Sequence, residues 1–214
     1  MKGRFGVGPP SPRIRRLTVM TAKQFYDWQT SGGTDDVMRL VDCLERADIA
    51  WCAIGGVAVN HWAQEPMVTR DVDFVVAADA IERAVSLLES AGFQSERFEG
   101  CHCEEPLLGD EAISLSAQSI NFKGRSAVSI QLSTEEFYRD FPSRAVPADV
   151  HGILLRVASL DDTLRGKMRA WSEPARRQSK RIKDLADIAR LVEAHPHLWD
   201  SLTDELKRQL QPPK

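Results

Sequence analysis

The most constraining feature of the sequence is a compact run of predicted strand, tight turn, helix and strand. Residues 49–54 form a short apolar segment that predicts a buried strand, and it ends at Gly55-Gly56. We expect a helix over residues 57–64 and a second strand over residues 69–76. Together with the further strands and helices described below, this unit predicts a mixed α/β sheet followed by a helical C-terminal part.

The second of these strands carries two carboxylates on one face. Because side chains alternate along a strand, Val72 and Phe74 point to one side, while Asp71 and Asp73 point to the other, about 7 Å apart at the backbone. Like charges held this close repel, and a hard cation such as Mg²⁺, which prefers carboxylate and phosphate oxygens, relieves the repulsion. The alternative is a surface strand whose outer face is simply acidic.

The glycine turn has a similar pair of interpretations. A turn that opens a helix leaves backbone N–H groups without partners, and these groups and the helix dipole both favour an anion such as phosphate. Many turns of this kind bind nothing, so Gly55 and Gly56 alone are weak evidence for a phosphate site.

The rest of the chain predicts more strands and then helices only. Thr34 is placed to cap a helix over residues 34–47, and Asp79 with Glu82 forms a capping box for the helix that Gly92 ends. We expect a flexible tail over residues 1–19, an α/β domain over 20–157 and a helical region over 158–214. Further strands are predicted over residues 93–98, 112–122, 127–132 and 152–157, and further helices over 160–171, 177–194 and 199–210.

Composition excludes several classes of protein. The 214 residues include 28 basic and 31 acidic side chains, a balance that argues against a general nucleic-acid coat. No apolar run approaches the roughly 18 residues that cross a bilayer, and the start does not resemble a secretory signal, so we expect a cytoplasmic protein without a membrane partner. Cys101-His102-Cys103 lacks the spacing of a structural zinc site and is interpreted as a loop. One basic run is either a polyanion-binding face or a solvated helix face: Arg176, Arg177, Lys180, Arg181 and Lys183.

Taken together, Gly55-Gly56 and the run from Thr69 to Phe74 (T-R-D-V-D-F) resemble the signature of the DNA polymerase beta-like nucleotidyltransferase superfamily. The resemblance is strongest to AbiEii-like and related stand-alone nucleotidyltransferases of bacterial toxin–antitoxin systems. It implies that the glycine turn holds a nucleoside triphosphate, with Thr69 and Arg70 beside it. It also implies that Asp71 and Asp73 hold Mg²⁺ or Mn²⁺, on a mixed sheet with flanking helices and a helical C-terminal region.

The C-terminal helices extend this resemblance. Lys167 on one helix and the run from Arg181 to Ile188 (R-I-K-D-L-A-D-I) on the next are similar to the pattern of those families. The resemblance implies that Lys167 contacts the nucleotide phosphates and that Asp184 orients this lysine or assists the acceptor. The residues alone favour a plainer interpretation, in which Lys167 and Asp184 belong to exposed, salt-bridged helix faces.

The sequence also departs from the family pattern. Many catalytic members carry a third acidic residue on a neighbouring strand, where this chain has Gln131, and a neutral amide does not accept a proton at neutral pH. Glu135 or Glu136 are candidate substitutes. Three possibilities follow: a reduced metal set, a base from elsewhere, or a fold without activity.

The expected function is transfer of a nucleoside monophosphate from a nucleoside triphosphate to a hydroxyl on tRNA, a protein or a small molecule. The alternative is an inactive binding or regulatory protein on the same fold, as one half of a toxin–antitoxin pair with a cognate antitoxin.

Overall fold

The computed structural model describes residues 32–63, 67, 69, 71–97, 119–150 and 152–211. The predicted tail, Arg70 and Cys101-His102-Cys103 lie outside these residues, as do residues 112–118 of a predicted strand. Six helices are described: α1 (Gly33–Arg46), α2 (Gly55–Trp62), α3 (Ile81–Ser90), α4 (Leu160–Ser172), α5 (Gln178–Ala194) and α6 (Asp204–Gln209). Seven strands accompany them: β1 (Trp51–Ala53), β2 (Asp71–Val76), β3 (Gln94–Arg97), β4 (Ser119–Lys123), β5 (Ser129–Ser133), β6 (Val146–Val150) and β7 (Ile153–Val157).

The seven strands form one mixed sheet in the order β3-β4-β5-β2-β1-β7-β6. Strand β2 lies near its centre, antiparallel to β1 and parallel to β5. In the register between β2 and β5, Asp71 lies opposite Ser129, and Asp73 lies opposite Gln131. Because paired residues of neighbouring strands point to the same side of a sheet, the side chains of Asp73 and Gln131 share one face.

The predicted alternation of β2 is confirmed by its packing. Val72, Phe74 and Val76 lie in the main core, which α1 and α3 cover with buried residues that include Leu40 and Leu88. The three residues are at most 4% exposed, whereas Asp71 and Asp73 are half-buried on the opposite face. The hydrophobic effect therefore fixes which side of β2 carries the carboxylates.

The C-terminal helices pack against α2 rather than forming an isolated bundle. Val59 of α2 and Ala63, which directly follows α2, are buried in one cluster with Leu164 of α4 and Ile188 of α5. The indole Nε1 of Trp62 also donates a hydrogen bond of 2.9 Å to the carbonyl oxygen of Ala158. This packing places α4 and α5 beside the glycine turn at the start of α2. None of the described helices has the length and apolar character needed to cross a membrane.

Several local predictions are wrong in informative ways. Gly32, with a φ of 89°, precedes α1, so Thr34 lies inside the helix instead of capping it. Asp79 belongs to a 3-10 turn (Ala78–Ala80), so it cannot cap α3, which begins without a side-chain cap. The edge strand β6 was not predicted, because Pro147 argues against a central strand but is tolerated at an edge. The predicted helix over residues 199–210 is divided into a 3-10 segment (Pro196–Ser201) and α6.

Candidate functional site

Asp73 of the acidic pair on β2 lies in an environment that disfavours its charged form. Burial raises the pKa of Asp73, and the neighbouring Asp71 carboxylate raises it further. The cationic side chains of Lys167, Lys183 and Lys180 lower the pKa in part, without cancelling the increase. Two carboxylates held together in this way repel each other, and a bound cation removes that repulsion.

The glycine turn lets the start of α2 approach this pair closely. Gly55 has a φ of 64°, and a Cβ atom built on it would overlap the Asp73 carboxylate. A Cβ on Gly56 would lie 3.1 Å from Oγ1 of Thr69. The Thr69 hydroxyl donates a 3.3 Å hydrogen bond to the carbonyl oxygen of Asp71. Glycine at both positions thus keeps the helix N-terminus against β2.

We expect Gly55→Ala to destabilise the protein more than Gly92→Ala does. Both glycines have positive φ, so each substitution pays the left-handed backbone penalty of about 1–2 kcal/mol. A Cβ on Gly92 would have no atom within 4 Å, whereas a Cβ on Gly55 would displace Asp73. Urea unfolding measures the free energy of unfolding of both variants. Because both carry the backbone penalty, the difference between them reports the overlap with Asp73. Equal losses of stability would contradict the close approach.

A buried ion-pair cluster joins α4 and α5 on the other side of the site. Nζ of Lys167 lies 3.1 Å from Oδ1 of Asp184 and 2.7 Å from Oδ2 of Asp187. Nε of Arg176 donates a 2.5 Å hydrogen bond to Oδ2 of Asp184. Lys167 is 8% exposed, Asp184 1% and Asp187 2%, so the interpretation of these residues as exposed helix faces is wrong.

Two adjoining cavities lie between these groups. The cavity of about 360 Å³ has an acidic and polar wall from β2, β5 and the glycine turn, and a basic wall from the C-terminal helices. A neighbouring cavity of about 450 Å³ shares five of its lining residues and adds the aromatic rings of Tyr138 and Phe141. The residues that line the smaller cavity are Gly56, Thr69, Asp71, Asp73, Gln131, Lys167, Arg176, Arg177, Lys180, Lys183 and Asp184.

The fold thus brings the predicted site residues of the described chain to one place. Gly55 lines the larger cavity, and the other predicted residues line the smaller one. Asp187 was given no role, although it lies one helical turn after Asp184 and contacts the same lysine. The aromatic residues Tyr138 and Phe141 were also missed, because the short 3-10 segments that carry them have no clear sequence period.

Gln131 and the two glutamates that follow β5 occupy different positions. Gln131 lines both cavities and lies opposite Asp73. Glu135 lines the larger cavity. Glu136 is exposed and forms an ion pair with Arg139.

The donor set at β2 fits a hard divalent cation. Within the described residues no three His, Cys, Asp or Glu side chains form a cluster that could hold a metal by themselves. Asp71 and Asp73 offer carboxylate oxygens only. Mg²⁺ and Mn²⁺ prefer such oxygen ligands, whereas softer metals prefer sulfur or nitrogen ligands. Mg²⁺ takes its remaining ligands from water and from substrate phosphates, so two protein carboxylates are sufficient.

A protein-family model matches most of the chain. The family model described as "Nucleotidyl transferase AbiEii toxin, Type IV TA system" matches residues 54–211, which span the glycine turn, the acidic pair and the lysine–aspartate cluster. This match places the chain, with its mixed sheet, in the class of nucleotidyltransferases. The chain belongs to the AbiEii nucleotidyl transferase toxin family, which confirms the resemblance.

Solved structures similar to this chain include an adenylyltransferase, ANT(2")-Ia and a nucleotidyltransferase-like protein. The lincomycin-bound lincosamide antibiotic adenylyltransferase LnuA is 12% identical, with a TM-score of 0.44 over 73% of this chain and 96% of that chain. ANT(2")-Ia in complex with adenylyl-2"-tobramycin is 10% identical, with a TM-score of 0.49 over 81% and 95%. An antigenic nucleotidyltransferase-like protein from Paracoccidioides brasiliensis is 18% identical, with a TM-score of 0.43 over 73% and 74%. No curated protein gives a significant match.

Proposed function

We propose that the protein transfers a nucleoside monophosphate from a nucleoside triphosphate to a hydroxyl acceptor, with Mg²⁺ or Mn²⁺ as cofactor. The observation that supports this proposal is the 360 Å³ cavity itself. One wall carries the paired carboxylates, and the facing wall carries five cationic side chains, one of them the buried Lys167. A metal-bound polyphosphate has the alternating charge that such a cavity complements.

Each group has a distinct role in the proposed reaction. The backbone N–H groups at Gly55 and Gly56, with Thr69 and the adjoining Arg70, seat the triphosphate. Lys167 adds positive charge to the phosphates, and Asp184 holds its ammonium in place. When bound by Asp71 and Asp73, Mg²⁺ neutralises charge that develops on the reacting phosphate.

The chemical step exchanges a phosphoanhydride bond for a phosphoester bond. The acceptor oxygen forms a bond to the α-phosphorus, while the bond from the α-phosphorus to the bridging oxygen breaks and pyrophosphate leaves with the electron pair. Gln131, opposite Asp73, cannot take the acceptor proton. Of the two candidate substitutes, Glu135 faces the larger cavity, so we assign the proton to its carboxylate.

We expect Glu135→Gln to slow label transfer from α-labelled triphosphates by about 100-fold or more, because general-base catalysis contributes about 10²–10⁴-fold. Glu136→Gln is the matched control. It makes the same chemical change one residue further on, where the side chain is exposed and paired with Arg139. Equal rates for Glu135→Gln and the wild type would remove Glu135 from the mechanism.

We extend the proposal to the acceptor and to a partner protein. The hydroxyl acceptor is a tRNA, a protein or a small molecule. Membership of a toxin family supports a cognate antitoxin as a second partner. We place the reaction in the cytoplasm, where nucleoside triphosphates and Mg²⁺ are available together.

The proposal is tested by calorimetric titration of ATP, GTP, CTP and UTP into the wild type with and without Mg²⁺. We expect binding of at least one triphosphate that depends on Mg²⁺. Absence of binding for all four by folded protein would contradict the proposal.

A second candidate function is favoured by Gln131, which leaves the sheet without a third carboxylate opposite Asp73. In that case the chain is a binding or regulatory protein on the same fold. Triphosphate binding without label transfer to tRNA, protein or small-molecule fractions of a cell extract would support this second function.

A further inference from the structure

A continuous chain of polar contacts runs from Lys167, in the basic wall of the 360 Å³ cavity, to Met67, which precedes Thr69 of the opposite wall. It begins at Lys167, whose Nζ lies 2.7 Å from Oδ2 of Asp187. Oδ1 of Asp187 accepts a 2.9 Å hydrogen bond from Nη1 of Arg190, and Nη2 of Arg190 donates a 3.0 Å hydrogen bond to Oδ1 of Asn60. The chain therefore passes from α4 through α5 to α2.

Asn60 carries the chain on to the segment that leads into β2. Its Oδ1 accepts a 2.9 Å hydrogen bond from the backbone N–H of Met67, and its Nδ2 donates to the carbonyl oxygen of the same residue. This two-point contact holds the backbone at Met67 in the way that a neighbouring strand would. Met67 lies two residues before Thr69, which lines the cavity.

The guanidinium of Arg190 is suited to its place in the chain. Its side chain is 16% exposed, and two different nitrogens of one rigid fork reach Asp187 and Asn60. A lysine at this position would keep the positive charge beside Asp187, but its compact ammonium lacks the planar fork that reaches both partners in a fixed geometry. Neither Arg190 nor Asn60 lines the two cavities, so any effect on a bound nucleotide passes through other residues.

We propose that Arg190 and Asn60 are positioning residues that fix the wall carrying Lys167 relative to the wall carrying Thr69 and Asp71. This inference rests on the proposed function, because it assumes that the cavity holds a triphosphate between those walls. Without the link, one of the connections that fix the separation of the lysine from the carboxylates is lost, and the hydrophobic packing of α2 against α4 and α5 remains. A triphosphate then has to order the two walls when it binds, which lowers its affinity.

The test is calorimetric titration of the four triphosphates with Mg²⁺ into the wild type, Arg190→Lys, Asn60→Ala and the double variant. We expect each single variant to raise the Kd about 10-fold, the lower end of what loss of an outer supporting contact costs at metal sites. Because both changes break the same link, the Kd of the double variant for the triphosphate should be no higher than the higher of the two single-variant Kd values.

Arg165→Lys is the matched control. Arg165 follows the buried Asp162 by three residues and contacts its Oδ1 at 3.2 Å, just as Arg190 follows the buried Asp187. Like Arg190 it lines neither cavity, but it does not belong to the chain of contacts from Lys167 to Met67. We expect wild-type Kd for this control. All titrations are run well below the measured unfolding temperature of each variant. A purely structural defect lowers the fraction of protein that can bind, and therefore the binding stoichiometry. A raised Kd with unchanged stoichiometry thus reports affinity and not folding.

The outcomes separate the two proposals. If the wild type binds a triphosphate and Arg190→Lys and Asn60→Ala bind it with the same Kd, the positioning role is overturned and the proposed function stands. Losses that add in the double variant would also overturn the shared link. Absence of triphosphate binding by the wild type would overturn the proposed function and, with it, the positioning role.

Discussion

Asp73→Asn should abolish Mg²⁺-dependent triphosphate binding and at the same time stabilise the nucleotide-free protein. The variant removes one of the two carboxylates that face the basic wall, and we expect its affinity for the magnesium triphosphate to fall by more than about 100-fold, since even outer partners of metal ligands contribute about 10–100-fold. Calorimetric titration measures this loss. Retained wild-type affinity would show that Asp73 does not hold the metal.

The stabilisation follows from the direction of the pKa shift. Burial and the adjacent Asp71 raise the pKa of Asp73 above 3.8, the ordinary value, so ionisation costs stability at neutral pH. That cost is absent below the unfolded pKa, grows as the pH rises towards the folded pKa and then stays constant. We therefore expect a higher Tm for Asp73→Asn than for the wild type at pH 7, and a difference that shrinks as the pH approaches 3.8. A lower Tm at pH 7 would contradict the environment described for this carboxyl.

Lys167→Met should weaken triphosphate binding and also destabilise the protein strongly. Its ammonium lies between two aspartates that are each at most 2% exposed, and removing one partner of a buried ion pair costs about 3 kcal/mol or more. Arg176 and Arg190 remain beside Asp184 and Asp187, so we expect a cost near the lower end of that range. The triphosphate affinity should fall at least about 10-fold, or 1.4 kcal/mol.

Lys183→Met is the matched control for this variant. Lys183 lines the same cavity, but its side chain is exposed, so the same loss of charge should change the free energy of unfolding by less than about 0.5 kcal/mol. Urea unfolding compares the two variants directly. Equal stability of both would mean that the buried cluster adds nothing to the fold.

The elements at the centre of the sheet could be predicted from local patterns. Alternation along residues 69–76 correctly assigned the face that carries Asp71 and Asp73, because the period of a strand is two and only one face is apolar. The Gly55-Gly56 pair was correctly placed at the start of a helix, although α2 includes both glycines. The predicted caps at Thr34 and Asp79 failed, since Gly32 and a 3-10 turn set those helix starts instead.

The burial and ion pairing of Lys167 could not be predicted from local sequence patterns. On its own helix Lys167 follows Leu164 and precedes Met168, and that spacing is equally typical of a solvated flank. Its burial arises only because α5 packs against α4 and both pack against α2. The contact between Arg190 and Asn60 likewise joins residues that are far apart in the chain.

The sequence by itself determined the order of the central elements, the face of β2 that carries the carboxylates and the family to which the chain belongs. Backbone sterics and side-chain periodicity act over a few residues, so their effects can be predicted from the local sequence. The tertiary structure alone decided that Lys167 is buried between two aspartates, that Glu135 and not Glu136 faces the larger cavity, and that Asn60 joins the two walls. These properties depend on which surfaces meet when helices dock on the sheet, because burial and ion pairing are set by neighbours in space.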